Sequence, residues 1–195
     1  MIFSRTPEVP QLDDYQDYRD PYLRPDFRYR CAYCLTHEFY FLSGDGGEID
    51  HHRPINPPKD IGHDFSHLVN AYSNLYWTCS RCNSIKSNKW PSDSDYAQDR
   101  RFLDPCVEDH DDHWTTNSDG TVTPTTDIGR YTVRHIRLDR RRLNAFRGHM
   151  YQLQQKVQSI ERLLHEKEMD DWVRVELEEK LETLKSLIEP PVFAP

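Results

Sequence analysis

The chain has 195 residues, of which 36% are hydrophobic and 30% are charged, and its formal net charge is −8. This length predicts one domain with an appendage, and so polar a composition can bury only a modest core. No apolar run is long enough to span a membrane, and the first residues lack the layout of a signal peptide. We therefore expect a cytoplasmic protein that binds no membrane and in which disulfides are unfavourable.

The predicted elements begin after an N-terminal arm, residues 1–30, which is rich in Tyr, Asp, Arg and Pro and has no clear period. Residues 38–42 form an aromatic, strand-like run, residues 43–47 form a turn by composition, and residues 48–52 form a return strand. We therefore expect a β-hairpin in the first third of the chain.

The next predicted element is a helix that follows a loop over residues 55–73. Residues 74–89 begin as a short strand or turn and become a helix near Cys79, which Trp90 and the proline after it stop. Residues 91–150 divide into a loop-rich, acidic stretch and a basic helix.

The basic helix is predicted from residue 130 to residue 150, a segment that holds seven arginines and one acidic residue. Such a local basic stripe can bind phosphate although the whole chain is acidic. Arg134, Arg137 and Arg141 follow helical spacing, and we expect them to bind a nucleic-acid backbone from one helix face. The alternative is that they pair with the acidic residues 176–182.

A helical hairpin is predicted over residues 151–195, because apolar residues recur there at spacings of four, three and four. The two stripes consist of Leu153, Val157, Ile160 and Leu164, and of Leu177, Leu181, Leu184 and Ile188. The pattern lapses across residues 167–171, which favours a hairpin over one straight rod. A hairpin of this size buries too little to be stable alone. We therefore expect residues 151–189 to be an assembly element that docks on the chain's own core, on a second copy or on another protein.

Two C-x-x-C pairs, Cys31 with Cys34 and Cys79 with Cys82, predict a metal centre. Two intervening residues let both sulfurs reach one ion, and four thiolates complete a tetrahedral zinc site without an open position. We therefore expect a structural zinc ion; the alternative is free thiols or a redox pair. The fifth cysteine, Cys106, has no partner at such a spacing.

Between and after the pairs lie Glu48-Ile-Asp-His-His-Arg-Pro54, Asn74-Leu75 and Cys82-Asn-Ser-Ile-Lys86. With the cysteines, the sequence resembles the HNH nuclease family, whose pattern is C-x-x-C, D-H-x-x-P, N-L and C-x-x-C-N-x-x-K. Every element is present in order over residues 31–89. The resemblance implies an α+β fold with a ββα-metal core at residues 31–90, stapled by the four-cysteine zinc knuckle and followed by a C-terminal α-helical extension.

The resemblance also implies roles for individual residues. Asp50 and Asn83 would hold one Mg²⁺ or Mn²⁺ ion, His51 would be the general base, and Asn74 would brace the loop that orients His51. These residue types suit the chemistry, because Mg²⁺ prefers oxygen ligands and histidine accepts a proton near neutral pH. His52 is the competing candidate for the base.

Three more cations near these motifs are candidates for nucleic-acid contacts. Arg53 would contact the scissile phosphate or cap its strand. Lys86 and Lys89 lie three apart on the predicted helix, so they would share a face that holds backbone phosphates or is simply solvated. Glu48 lies two residues before Asp50 and hence on the same face of the strand. It would assist the metal or, in the favoured interpretation, be a surface carboxylate.

A narrower resemblance rests on His51-His-Arg-Pro54, Phe102-Leu-Asp-Pro105 and Leu138-Asp-Arg-Arg-Arg-Leu143. These segments are similar to motifs of the small HNH proteins of Septu-type and retron-associated anti-phage systems, which act beside an ATPase. In that subgroup phenylalanine is usual where His52 stands, and asparagine where Asp139 stands. The resemblance implies the nuclease of an anti-phage defence system with an ATPase partner.

The sequence therefore predicts a metal-dependent endonuclease that hydrolyses phosphodiester bonds in nucleic acid, with DNA favoured over RNA. The alternatives are a zinc-stapled module that binds nucleic acid without cutting it, and a scaffold whose helical tail assembles a complex.

Overall fold

A computed structural model of the chain describes residues 1–41, 47–165 and 169–192. The chain combines α-helices with two small two-stranded sheets, so the prediction of a fold with both helices and strands is confirmed. No helix within those ranges is long and apolar enough to cross a membrane.

The chain forms two compact units. Among the described residues, the larger unit contains residues 1–41, 47–115 and 122–139, and the smaller unit contains residues 116–121, 140–165 and 169–192. The strands are β1 (Gly47–His51), β2 (Leu75–Cys79), β3 (Trp114–Thr116) and β4 (Val122–Pro124). The α-helices are α1 (Arg24–Asp26), α2 (Ser80–Lys86), α3 (Asp93–Tyr96), α4 (His110–His113), α5 (Asp127–Ile136), α6 (Arg141–Leu164) and α7 (Asp171–Ile188).

The first sheet pairs β1 and β2 antiparallel, with Asp50 opposite Tyr76. β2 is rich in the aromatic and β-branched residues that favour strands, and every residue of it is buried. Gly47 is required by close packing, because a Cβ atom there would lie 2.3 Å from the indole ring of Trp77. α2 follows β2 directly and packs against both strands.

The predicted hairpin is wrong in its first strand, because Glu38–Tyr40 form a 3₁₀ turn. The carboxylate of Glu38 accepts hydrogen bonds from Arg24 and from the indole of Trp77, which draws this segment inward. β1 therefore pairs with β2, which follows it after a long loop. The predicted turn at residues 43–47 lies outside the described residues except for Gly47.

The N-terminal arm also differs from prediction, because it forms helical turns over Tyr15–Asp26 and contributes to the core. Phe3, Tyr18 and Phe27 are all buried. Aromatic residues spread along short turns have no single period, so periodicity could not reveal their burial.

The helix predicted from residue 130 to residue 150 is two helices. α5 ends at Ile136, and Arg137 takes a left-handed conformation with φ 55°. The amide of the buried Leu138 donates to the carbonyl of Val133, which closes the helix end. α6 begins at Arg141, so the limit expected at residue 150 falls inside it.

In the smaller unit, α6 and α7 pack against each other along the two predicted stripes. Leu153 and Ile160 of α6 are buried, and the four stripe residues of α7 are less exposed than most of their neighbours. Glu161 and Lys185 form an ion pair of 2.7 Å between the helices. Residues 166–168, within the lapse of the pattern, lie outside the described residues.

Candidate active site

The four cysteines of the C-x-x-C pairs form one buried cluster, hereafter the cysteine centre. Their sulfur atoms all lie within 4.8 Å of one another, and those of Cys34 and Cys79 are 3.9 Å apart. A tetrahedral site with Zn–S bonds of about 2.3 Å separates its sulfurs by about 3.8 Å. The prediction that these cysteines meet is confirmed, and the cluster can bind a metal ion.

The four thiols of the cysteine centre hydrogen-bond one another. Hydrogen bonds from the Cys31 and Cys79 thiols lower the pKa of Cys34 well below its usual value, whereas burial raises the pKa of Cys31 well above it. The Cys79 sulfur also accepts the Cys82 amide and caps α2. Cys106 lies outside the cluster, and burial raises its pKa to about 12. Within the described ranges no other group of three His, Cys, Asp or Glu residues could share an ion.

A separate cavity of about 330 Å³ opens at the end of β1, hereafter the pocket. Asp50 and His51 line it from β1, Asn83 lines it from α2, and the polar residues Asn56 and Asn88 add to its wall. The pairing of β1 with β2, followed by α2, thus brings three of the predicted catalytic residues to one cavity.

His51 is oriented by a backbone contact, since its Nε2 lies 2.8 Å from the carbonyl oxygen of Val69. A carbonyl oxygen can only accept, so Nε2 carries the proton and Nδ1 of the neutral ring is the acceptor. None of the described residues hydrogen-bonds Nδ1. Burial lowers the pKa of His51 below 6.5 despite the opposing effect of the Val69 contact, so the ring is neutral at pH 7. His51 therefore meets the requirements of a general base.

His52, the competing candidate, is buried outside the pocket. Its ring packs against Tyr76 at 4.8 Å and Trp90 at 5.4 Å between centroids. Burial, reinforced by the positive charge of Lys86, lowers the pKa of His52 well below 6.5. A ring enclosed in this way is a core residue, and the geometry favours His51 as the base.

Asp50 is buried, and each of its oxygens already has a partner. Oδ2 accepts from the Tyr33 hydroxyl at 2.6 Å, and Oδ1 accepts from the Lys86 ammonium at 2.9 Å. Each carboxylate oxygen has two lone pairs, so each keeps one for a cation. Asp50 therefore fits as an ion ligand, although the positive charge of Lys86 would repel a bound cation.

Asn83 is oriented by Glu48, whose carboxylate accepts from Asn83 Nδ2 at 2.6 Å. A carboxylate accepts and an amide nitrogen donates, so this contact fixes the amide orientation and leaves Oδ1 as an acceptor without a donor among the described residues. With Asp50, this oxygen gives the donor set that a hard divalent cation prefers, provided that water fills the remaining positions. Glu48 itself is exposed and orients Asn83.

Asn74 lies where the resemblance places a bracing residue. Its side-chain oxygen accepts from the Arg53 amide at 2.9 Å, and its nitrogen donates to the Arg53 carbonyl at 3.0 Å. This pair of bonds fixes the chain two residues after His51. The Arg53 side chain is exposed, with its guanidinium 6.0 Å from the Phe65 ring centroid.

The predicted phosphate-binding face of Lys86 and Lys89 is wrong. Lys86 is fully buried, and it also donates to the His51 carbonyl at 2.8 Å, so it cannot reach a nucleic-acid backbone. α2 ends at Lys86 because Ser87 turns to φ 50°, which leaves Lys89 beyond the helix. Lys89 is exposed, and its ammonium donates to the carbonyls of Ile85 and His135.

The prediction that three arginines share one face of a single basic helix is also wrong. Arg134 lies on α5, Arg137 follows it in a left-handed conformation, and Arg141 is the first residue of α6. All three side chains are exposed. They are separate cations on the surface of the chain and do not form one stripe of a continuous helix.

Sequence reasoning missed two contacts that fix the pocket, the Tyr33 hydroxyl on Asp50 and the Val69 carbonyl on His51. The place of Tyr33 inside a C-x-x-C pair was a usable signal, because the cysteines anchor its backbone. No side-chain pattern could indicate the Val69 contact, since it comes from the backbone.

Comparisons of the chain with protein-family models, with curated proteins and with solved structures found no match. The chain's candidate functional features are the pocket, the cysteine centre and the motifs that build them.

Proposed function

We propose that the chain is an HNH-type, metal-dependent endonuclease that hydrolyses phosphodiester bonds in nucleic acid, with DNA favoured. The observation that carries the proposal is His51, whose proton is fixed on Nε2 by Val69 while its ring lines a cavity beside Asp50 and Asn83. A module that only bound nucleic acid would need neither this tautomer nor this grouping.

The order of elements supports the proposal. An antiparallel pair of strands followed by a helix, with the candidate base at the end of β1 and an amide on α2, agrees with the ββα-metal unit. The cysteine centre holds α2 at its first turn, because Cys79 caps the helix and Cys82 lies within it. We propose that a structural zinc ion binds there, since four thiolates leave no position open for a substrate.

The chain's own residues supply the proton transfer. Nδ1 of His51 accepts a proton from the attacking water, while Val69 holds the ring and Asn74 holds the loop after it. Asp50 and Asn83 would hold Mg²⁺ or Mn²⁺ through oxygen atoms. The chemistry that such an ion would supply is polarisation of the phosphoryl oxygen and stabilisation of the leaving alkoxide.

One observation favours a second candidate, a zinc-stapled module that binds nucleic acid without cutting it. The ion pair between Asp50 and Lys86 gives the carboxylate a structural partner and a neutral net charge. In that case Asp50 would hold β1 to α2 and would not bind an ion.

Nicking of supercoiled plasmid separates the two candidates. We expect nicking that needs added Mg²⁺ or Mn²⁺, stops with EDTA, and is lost in Asp50→Asn. Binding without nicking under any divalent ion would favour the second candidate.

We also propose that the hairpin of α6 and α7 is an assembly element that docks a second copy or a partner such as an ATPase. Trp172 is 69% exposed and Val175 is 54% exposed, and they lie three apart on α7. Trp172→Ala should lower the molar mass measured by light scattering if the chain self-associates through this face. The nuclease of an anti-phage defence system is the biological role that the narrower resemblance supports.

A further inference from the structure

A buried tyrosine joins the cysteine centre to the pocket. Tyr33 lies between Cys31 and Cys34, and its side chain is almost fully buried. Its hydroxyl donates to Asp50 Oδ2 at 2.6 Å and lies 3.4 Å from Nδ1 of His52. The amide of Ala32, one residue earlier, donates to the Trp77 carbonyl and fixes this turn to β2.

The other oxygen of Asp50 is held from the second cysteine pair. Lys86, the last residue of α2, donates to Asp50 Oδ1 at 2.9 Å and to the His51 carbonyl at 2.8 Å. α2 begins directly after Cys79 and contains Cys82. Both partners of the Asp50 carboxylate are therefore carried by segments that the cysteines anchor.

We propose that Tyr33 is a positioning residue through which the metal ion of the cysteine centre sets the orientation of Asp50 and hence the affinity of the pocket for a divalent ion. This rests on the proposed function. Partners that orient a metal ligand contribute about 10- to 100-fold to metal affinity. Coupling between two binding sites is reciprocal, so an ion in the pocket also changes the surroundings of the cysteine centre.

Tyr76 offers a matched control for Tyr33. Its ring is equally buried in the same core, and its hydroxyl also donates to a carboxylate at 2.6 Å. That carboxylate belongs to Asp104, which does not line the pocket. Tyr33→Phe and Tyr76→Phe therefore remove the same kind of bond, and only the first bond involves a pocket residue.

The test measures Mn²⁺ binding to the full, metal-loaded chain from the paramagnetic resonance signal of free Mn²⁺, with Asp50→Asn as the blank for surface binding. We expect Tyr33→Phe to weaken Mn²⁺ binding about 10-fold and Tyr76→Phe to leave it unchanged. Both variants should keep the metal of the cysteine centre and remain folded, although Tyr33→Phe also removes the 3.4 Å contact with His52. Equal Mn²⁺ affinities in the two variants would overturn the role of Tyr33 and leave the nuclease proposal standing.

Wild-type Mn²⁺ binding no tighter than that of Asp50→Asn would refute the ion site itself, and the coupling with it. A second measurement needs no tyrosine variant. With cadmium in the cysteine centre of the wild-type chain, the cadmium NMR resonance should move when Mg²⁺ is added. A resonance that stays fixed while Mg²⁺ binds would also overturn the coupling.

Discussion

Replacing His52 with phenylalanine should reduce the loss of folding stability at acidic pH. In the folded chain His52 stays neutral well below pH 6.5, because its ring is buried against Tyr76 and Trp90 and because Lys86 repels a second positive charge. In the unfolded chain it binds a proton near pH 6.5. The unfolded state therefore binds more protons below that pH, and stability falls as the pH falls.

The size of this effect follows from the proton difference. Each pH unit below about 6.5 over which the folded ring stays neutral costs about 1.4 kcal/mol, so His52 alone removes at most about 2 kcal/mol of stability between pH 7.5 and pH 5. His52→Phe keeps the ring contacts and abolishes this loss. At pH 7.5 the substitution removes the 3.4 Å contact between His52 and Tyr33, so the free energy of unfolding should change by about 1.5 kcal/mol or less.

Urea unfolding followed by tryptophan fluorescence, without added divalent ions, measures the difference. Three of the four tryptophans, Trp77, Trp90 and Trp114, belong to the larger unit that contains His52. Every other ionisable side chain is the same in the two proteins, so its effect cancels in the comparison. His67→Ala, at an exposed histidine, is the control and should follow the wild type. Equal losses of stability on acidification in His52→Phe and wild type would refute the reasoning.

Three further predictions test other parts of the account. The cleavage rate should fall as the pH is lowered, with a midpoint below pH 6.5, because burial lowers the pKa of His51 and the base works only when neutral. A pH–rate profile with a midpoint above pH 6.5 would contradict this. Cys79→Ser should lose the bound metal ion and unfold or aggregate, as seen by metal analysis and circular dichroism, because metal binding is coupled to folding. Replacing Arg134, Arg137 and Arg141 by alanine should weaken DNA binding for all sequences alike and flatten its salt dependence. An unchanged salt slope would instead favour pairing of these arginines within the chain.

The short-range motifs were predictable from sequence because their geometry is local. Two residues between cysteines fix where both sulfurs of a pair point, and because a zinc ion needs four ligands, the two pairs were expected to meet. The spacing of Leu153 and Ile160 likewise predicted which side of α6 is covered. In both cases the chemistry and the period of a single segment decide the outcome.

The long-range contacts were not predictable. The aromatic run after Glu38 has strand propensity. The Glu38 carboxylate, however, accepts hydrogen bonds from Arg24 and Trp77, and these tertiary contacts override the propensity. The break between α5 and α6 accompanies the burial of Leu138. No glycine or proline at this position of the sequence indicates the break. Lys86 was predicted to be exposed because its partner, Asp50, lies on another element.

The most direct test of the central claim is single-turnover cleavage of DNA by His51→Ala at saturating Mg²⁺. Loss of a general base costs about 10²- to 10⁴-fold in rate, and we expect a fall of that size. The His51 side chain hydrogen-bonds Val69 and packs against Tyr15, and alanine keeps the backbone that pairs β1 with β2, so the cysteine-bound metal and the fold should survive, which metal analysis and circular dichroism check. His67→Ala should cleave like the wild type. A folded His51→Ala protein that cleaves at the wild-type rate would contradict the assignment of His51 as the base.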